Sequence, residues 1–347
     1  MPTQPASPAT PPSPAPPAPD PSAKYTETPS FTAILNETNT NLDQLRRRKK
    51  LLEDIDEAFS AKYGAKNRTM TYLCRFGHPR AMMGSSDIAG FEATLKSISG
   101  ADQINLLLQS PGGDATIVEK MIDMCRAHLS GSQPCFRVIV PNIAKSAATV
   151  MALGADSIVM GYCSELGPID PQVQIAVSGL IQWVSALAFV ESRDKLMDQI
   201  ADAVSNNKPT AGLLQQLAGL NIPFTNEMEN HIAFAKKTAA TLLDKFMLRK
   251  KYPKPQQRRR KAGEIAEKLL SKQLFPVHGQ SISGASAKSE IELEVELLER
   301  TDKLWELIWE YYQRCELQMN IPLTPGMIKT KIFESSFESL VVQDTAN

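Results

Sequence analysis

Nothing in the 347 residues approaches the ~20 consecutive apolar positions that a membrane-spanning helix needs. The first thirty residues also lack a basic n-region and an apolar h-region, so no secretory signal is visible. Net charge is missing too: 38 Lys plus Arg balance 38 Asp plus Glu, which removes any global electrostatic case for nucleic acid or an acidic partner. Cysteine is scarce and odd in number. Cys74, Cys125, Cys135, Cys163 and Cys315 make no C-x-x-C spacing, and with His78, His128, His231 and His278 scattered they make no zinc-ligand pattern. These absences predict reduced, mostly packed thiols in a soluble cytoplasmic protein without a metal or other cofactor, peripheral contact with a membrane remaining open.

What is present divides the chain. Residues 1–30 are dominated by Pro, Ala, Ser and Thr, and cannot bury enough apolar surface to offset their ordering entropy. They read as an extended, mobile tail. Residues 31–66 form an amphipathic helical extension, with Leu42, Leu45, Leu52, Ile55 and Phe59 near one face and Arg46-Arg47-Arg48-Lys49-Lys50 in a solvated basic interruption. Residues 67–320 are the main domain: strands at 69–76 and 104–108, helices at 87–98 and 115–129, then helical patterns at 176–204, 226–248, 262–270 and 291–319. The basic stretch 249–261 reads as an exposed connection, because it lacks the interleaved aromatics of a nucleic-acid surface. Residues 321–347 read as a C-terminal tail. A hydrophobic content of 42% permits a substantial core, and strand and helix in alternation argue for an α/β fold with a mainly parallel sheet.

Two strand-turn-helix units carry the chemistry. Ile104 to Leu108 runs into Ser110-Pro111-Gly112-Gly113-Asp114, and Phe136 to Val140 runs into Ala144-Lys145-Ser146-Ala147-Ala148. Glycines without Cβ can take positive φ and present bare N–H groups to a developing negative charge. A serine among small neighbours at a helix start can be a nucleophile facing that hole. The same residues also suit plainer work, Ser146 as a helix cap, Pro-Gly-Gly as a turn and Asp114 as the cap of the next helix.

Taken with Leu153-Gly154-Ala155-Asp156-Ser157-Ile158-Val159-Met160 and Ser164-Glu165-Leu166-Gly167-Pro168-Ile169-Asp170-Pro171-Gln172, these segments resemble the serine dehydrogenase proteinase family of the Clp-protease/crotonase superfold, whose relatives include signal peptide peptidase A and the Clp proteolytic subunit. The resemblance implies a repeated β-β-α superhelix around a mainly parallel sheet with added helices. It implies a serine peptidase in which Ser146 forms an acyl-enzyme, with backbone N–H groups of Gly112 or Gly113 and of Ala147 as the oxyanion hole. Peptide or protein substrates and a homo-oligomer follow from the same likeness.

The base is left open. The Clp subunit places a His about two dozen residues after its serine, where this chain has Ile169, Asp170 and Pro171. Lys195 falls where signal peptide peptidase A relatives place a catalytic lysine. His278 falls where the Clp peptidases place their third triad member, with Asp170 as an orienting carboxylate. Cys163, near the serine in sequence, reads as packing. Two rival functions stand beside hydrolysis: a catalytically inactive oligomeric scaffold or binding module, suggested by the missing His, and an acyl-CoA-binding crotonase-like enzyme.

Overall fold

The computed structural model describes residues 29–37, 40–177, 180–321 and 326–345, so nearly all of the Pro-rich tail lies outside the described residues. Two helices open the fold, α1 (Phe31–Leu35) and α2 (Asn41–Tyr63), the second started by a Thr40–Asp43 capping box and stopped by Gly64 in the left-handed region. There follow β1 (Asn67–Cys74), α3 (Ile88–Ser97), β2 (Gln103–Gln109), α4 (Val118–Ala127), β3 (Cys135–Val140), β4 (Ile143–Ala144), α5 (Ala147–Leu153), β5 (Ser157–Gly161) and β6 (Glu165–Leu166). A hairpin of β7 (Gln172–Val177) and β8 (Leu180–Ser185) leads into α6 (Ala186–Ser205), α7 (Ala211–Ala218), α8 (Ile222–Lys245) and α9 (Pro255–Leu270). The chain closes with β9 (Ile282–Ser283), α10 (Gly284–Ser289), β10 (Val295–Leu298), α11 (Lys303–Asn320), β11 (Met327–Ser335) and β12 (Ser339–Thr345).

A seven-stranded sheet runs in the order β10-β5-β3-β2-β1-β11-β12. The first five strands are parallel and the last two antiparallel. Both faces are covered, which explains why the strands read as apolar runs without alternation. Leu107, Ile139 and Val159 point to one side and pack with Leu52, Ile55, Trp305 and Ile308 of α2 and α11. Leu106, Val138 and Ile158 point to the other and pack with Phe91, Met121, Met151, Leu243 and Ile265 from α3, α4, α5, α8 and α9. A second small sheet, β4-β6-β9, takes over where β3 and β5 end, so a long strand, a short strand and a helix succeed one another in β3-β4-α5. Ser110 bridges Ala144 and ties the end of β2 into the same layer.

Four expectations are corrected. The helical extension packs its apolar stripe on the domain, but its charges are not all solvated: Arg47 pairs with Glu310 at 3.2 Å and Arg48 with Glu334 at 3.1 Å, so two of the five basic residues point inward rather than to water. The segment read as a C-terminal tail supplies β11 and β12, and β11 pairs with β1. Its lysines disguised it, yet Lys331 is buried against Asp87 at 2.6 Å and Lys329 donates to the Gln318 carbonyl at 2.8 Å. The expected helices at 176–204 and 291–319 each begin later, after the β7–β8 hairpin and after β10, because Val295–Leu298 completes the parallel edge beside β5. The basic stretch 249–261 is half helix, and Arg258, Lys251 and Lys261 are paired with Asp244, Glu294 and Glu292.

Candidate active site

Ser146 sits between β4 and α5 with φ 51 and ψ −118, and its side chain makes no capping hydrogen bond. A residue with Cβ adopts that conformation at a cost, and the surroundings have to enforce it. They do so from both sides. Lys145 donates its N–H to the Ser110 carbonyl at 3.1 Å, and the Ser146 carbonyl accepts from Val150 N–H at 3.0 Å. The buried Thr149 hydroxyl donates to the Ala144 carbonyl at 2.8 Å and accepts from Gly167 N–H at 3.1 Å, locking the turn to the following loop. Lys145 itself is used up: its ammonium reaches the Leu166 carbonyl at 3.0 Å and Glu165 at 3.0 Å.

The diglycine turn lies directly against this serine. Gly112 has φ 106, and a Cβ there would come within 2.8 Å of Ser146 Cβ and 3.3 Å of the Ala147 nitrogen. Gly113 has φ 146, and a Cβ there would come within 2.3 Å of the Met83 carbonyl oxygen. The two N–H groups differ in use. Gly112 N–H donates to Ser110 Oγ at 3.1 Å, and the Gly112 carbonyl accepts from Met83 N–H at 2.8 Å. Gly113 N–H makes no hydrogen bond among the described residues, and Gly113 rather than Gly112 lines the cavity. Ala147 is the first residue of α5, where a helix leaves its N–H groups without internal partners. Asp114 caps the next turn as expected, accepting from Thr116 N–H at 2.8 Å.

That cavity, about 650 Å³, is lined by Gly113, Ser146, Ala147 and His278, with Met83, Val150, Ile169, Trp183 and Phe234 among its apolar walls. His278 Nδ1 lies 2.7 Å from Asp170 Oδ1. A carboxylate only accepts, so the Nδ1 proton points at Asp170 and the Nε2 lone pair is left as the acceptor. Among the described residues no hydrogen bond joins His278 to the Ser146 hydroxyl, a contact that commonly tightens only once substrate is bound. The other Asp170 oxygen accepts from Lys272 Nζ at 2.7 Å and Gln172 Nε2 at 2.9 Å. Burial of Asp170, which is 1% exposed, pushes its carboxyl up, but the bonds from His278 and Lys272 outweigh that and hold it below the ordinary carboxylate range.

Of the residues singled out from sequence, Ser146, Gly113, Ala147 and His278 meet in this cavity, with Asp170 directly behind. Lys195 does not: it is exposed on α6 and lines no part of the cavity. Cys163 is also away from it, and burial pushes its thiol up, the direction opposite to activation. Lys272 and Gln172 were not legible as site residues, since only their closeness in sequence to His278 and Asp170 hints at a shared role. Among the described residues no group of acids, cysteines and histidines could hold a metal, and no helix is long and apolar enough to cross a membrane.

Two uncharacterized proteins of Methanocaldococcus jannaschii are similar to the chain, one 36% identical over 85 residues and the other 28% identical over 106. These matches take in 24% and 30% of this chain and only 28% and 33% of the relatives' own length. Among solved structures, two mutants of the 1510-N membrane-bound stomatin-specific protease, one with a substrate peptide, are 15% and 17% identical and cover 64% of this chain, and 78% and 74% of theirs, at a TM-score of 0.37. The family model described as ClpP-like SDH-type serine proteinase matches residues 40–206. Over that span, which holds the diglycine turn, Ser146 and Asp170, the chain is similar to the ClpP-like SDH-type serine proteinases.

Proposed function

We propose that the protein hydrolyses peptide bonds, with Ser146 as nucleophile, His278 as base and Asp170 as the carboxylate that orients it. The observation that carries this is the His278–Asp170 pair opening onto the same cavity as an uncapped serine at positive φ. In the first step the Ser146 oxygen bonds to the substrate carbonyl carbon while its proton passes to His278 Nε2. The resulting oxyanion is met by the N–H groups of Gly113 and Ala147, an arrangement worth about 3 kcal/mol per donor in comparable enzymes. Collapse breaks the C–N bond, and the leaving amine takes the proton from His278. Water, deprotonated by the same imidazole, then releases the acyl group and restores the hydroxyl.

The apolar walls at Met83, Val150, Ile169 and Phe234 favour peptide segments with large apolar side chains. A cytoplasmic setting agrees with five cysteines that are all free and mostly buried. Self-association into a homo-oligomer agrees with the exposed Leu180, Ile181 and Trp183 of β8 and Ile222 of α8. The proposal is tested with a fluorescent alkyl fluorophosphonate on the full chain. Labelling should occur in the wild type, disappear in Ser146→Ala and fall steeply in His278→Ala. Absence of labelling at every pH would leave the inactive-scaffold reading, and tight binding of an acyl-CoA without labelling would favour the crotonase-like one.

A further inference from the structure

Asp170 serves two cations at once. Its Oδ1 faces His278 Nδ1 at 2.7 Å, and its Oδ2 faces Lys272 Nζ at 2.7 Å. Lys272 is largely buried and rigidly placed, because it lies just past α9, whose last turn is tied to the Asp170 loop by Ile169 N–H donating to the Leu269 carbonyl at 3.1 Å. Among the described residues these are the ion pairs of Asp170. The other titratable groups around the cavity are His231 on α8 and Asp114 beside the diglycine turn. Behind the His278 turn, Lys145 reaches the Gln280 carbonyl and is neutralised by Glu165.

A buried carboxylate paired only with an imidazole stabilises the imidazolium, which has already taken its proton and cannot act as a base. A second, permanent positive charge on the same carboxylate offsets that effect. We propose that Lys272 is a positioning residue for the reaction: by sharing Asp170, it keeps His278 neutral and able to accept the Ser146 proton at lower pH than an Asp–His pair alone would. This rests on the assignment of Ser146, His278 and Asp170 above. Lys272 acts only through Asp170 and does not line the cavity.

The test needs no natural substrate. The rate of labelling by an alkyl fluorophosphonate is measured against pH, since Ser146 Oγ bonds to phosphorus, fluoride leaves and the hydroxyl proton passes to His278. In Lys272→Met the acid limb of that profile should move upward by about one pH unit, with labelling about tenfold slower below the limb. Lys272→Arg should keep the wild-type limb. The position of a limb does not depend on how much of a preparation is folded, and Lys272→Gln serves if the Met variant cannot be made. A uniform loss of rate with an unmoved limb in the Met or Gln variant would overturn the proposal while leaving the hydrolase assignment intact. A wild type without Ser146-dependent labelling would overturn both.

Discussion

Replacing Ser146 in two ways separates the chemistry of the nucleophile from the cost of holding it. At φ 51 and ψ −118 the backbone is one that glycine adopts freely and that a Cβ makes costly. Ser146→Ala removes the hydroxyl but keeps the Cβ, so the strain stays. Ser146→Gly removes both. Backbone strain of this kind is about 1–3 kcal/mol, and the extra freedom of glycine in the unfolded chain returns about 0.5–1 kcal/mol. Neither variant loses a hydrogen bond, because the serine side chain does not cap α5. The glycine variant should therefore be about 1 kcal/mol more stable than the alanine variant. Paired equilibrium urea unfolding of the two proteins measures the difference, and fluorophosphonate should label neither. A glycine variant equal to or less stable than the alanine variant would refute the idea that the fold holds this turn against its own preference.

Asp170→Asn should slow fluorophosphonate labelling by about three to four orders of magnitude while leaving the cavity in place, because the amide can present its N–H to His278 Nδ1 and favour the wrong tautomer; rates within tenfold of wild type would remove Asp170 from the mechanism. Lys195→Ala should label at the wild-type rate and His278→Ala should not, so the reverse pattern would move the base to α6. Two buried aspartates should act oppositely on stability. Burial raises Asp56 to about 7, one of its oxygens lacking a hydrogen-bond partner, so the folded state keeps a proton that the unfolded chain releases. Stability then falls as pH rises from about 4 to about 7, by on the order of a few kcal/mol, and Asp56→Asn should flatten that slope in urea titrations. Asp170, held below its ordinary range, contributes stability that is complete above the unfolded carboxyl range and is lost as pH falls through the lowered folded value.

Strands β1, β2 and β3 of the parallel half were legible because they are doubly covered and the turns after β2 and β3 carry distinctive residues, whereas the edge strand β10 was read as helix. Leu107 packs under α2 and α11 while Leu106 packs under the helices opposite, and uninterrupted apolar runs are the sequence form of that burial. The antiparallel edge was hidden for the opposite reason. Lys329 and Lys331 in β11 are buried and bonded, so a strand with full tertiary support displays the composition of an exposed segment. In α2, which was legible as a helix, Arg47 and Arg48 hid their inward direction in the same way. Charged residues report solvent only when nothing inside the fold needs their charge, and Glu310 and Glu334 do.

The proposed base could not be chosen from sequence because His278 is positioned by Asp170, 108 residues away along the chain. Between them lie the β7–β8 hairpin and α6 to α9, a stretch that contains the rival Lys195. What favours His278 over Lys195 in the proposed assignment is the need of a carboxylate that is 1% exposed. Left without donors it would have to take up a proton, and both of its oxygens are in fact met, one by His278 and the other by Lys272 and Gln172. Lys195 has no comparable demand on it, being exposed on the outer side of a helix that water already satisfies. The return of the chain from α9 therefore completes both the charge balance of Asp170 and the set of groups around Ser146. On the proposed assignment, the part of the site carried by residues 40–206 takes its proton acceptor from a later segment.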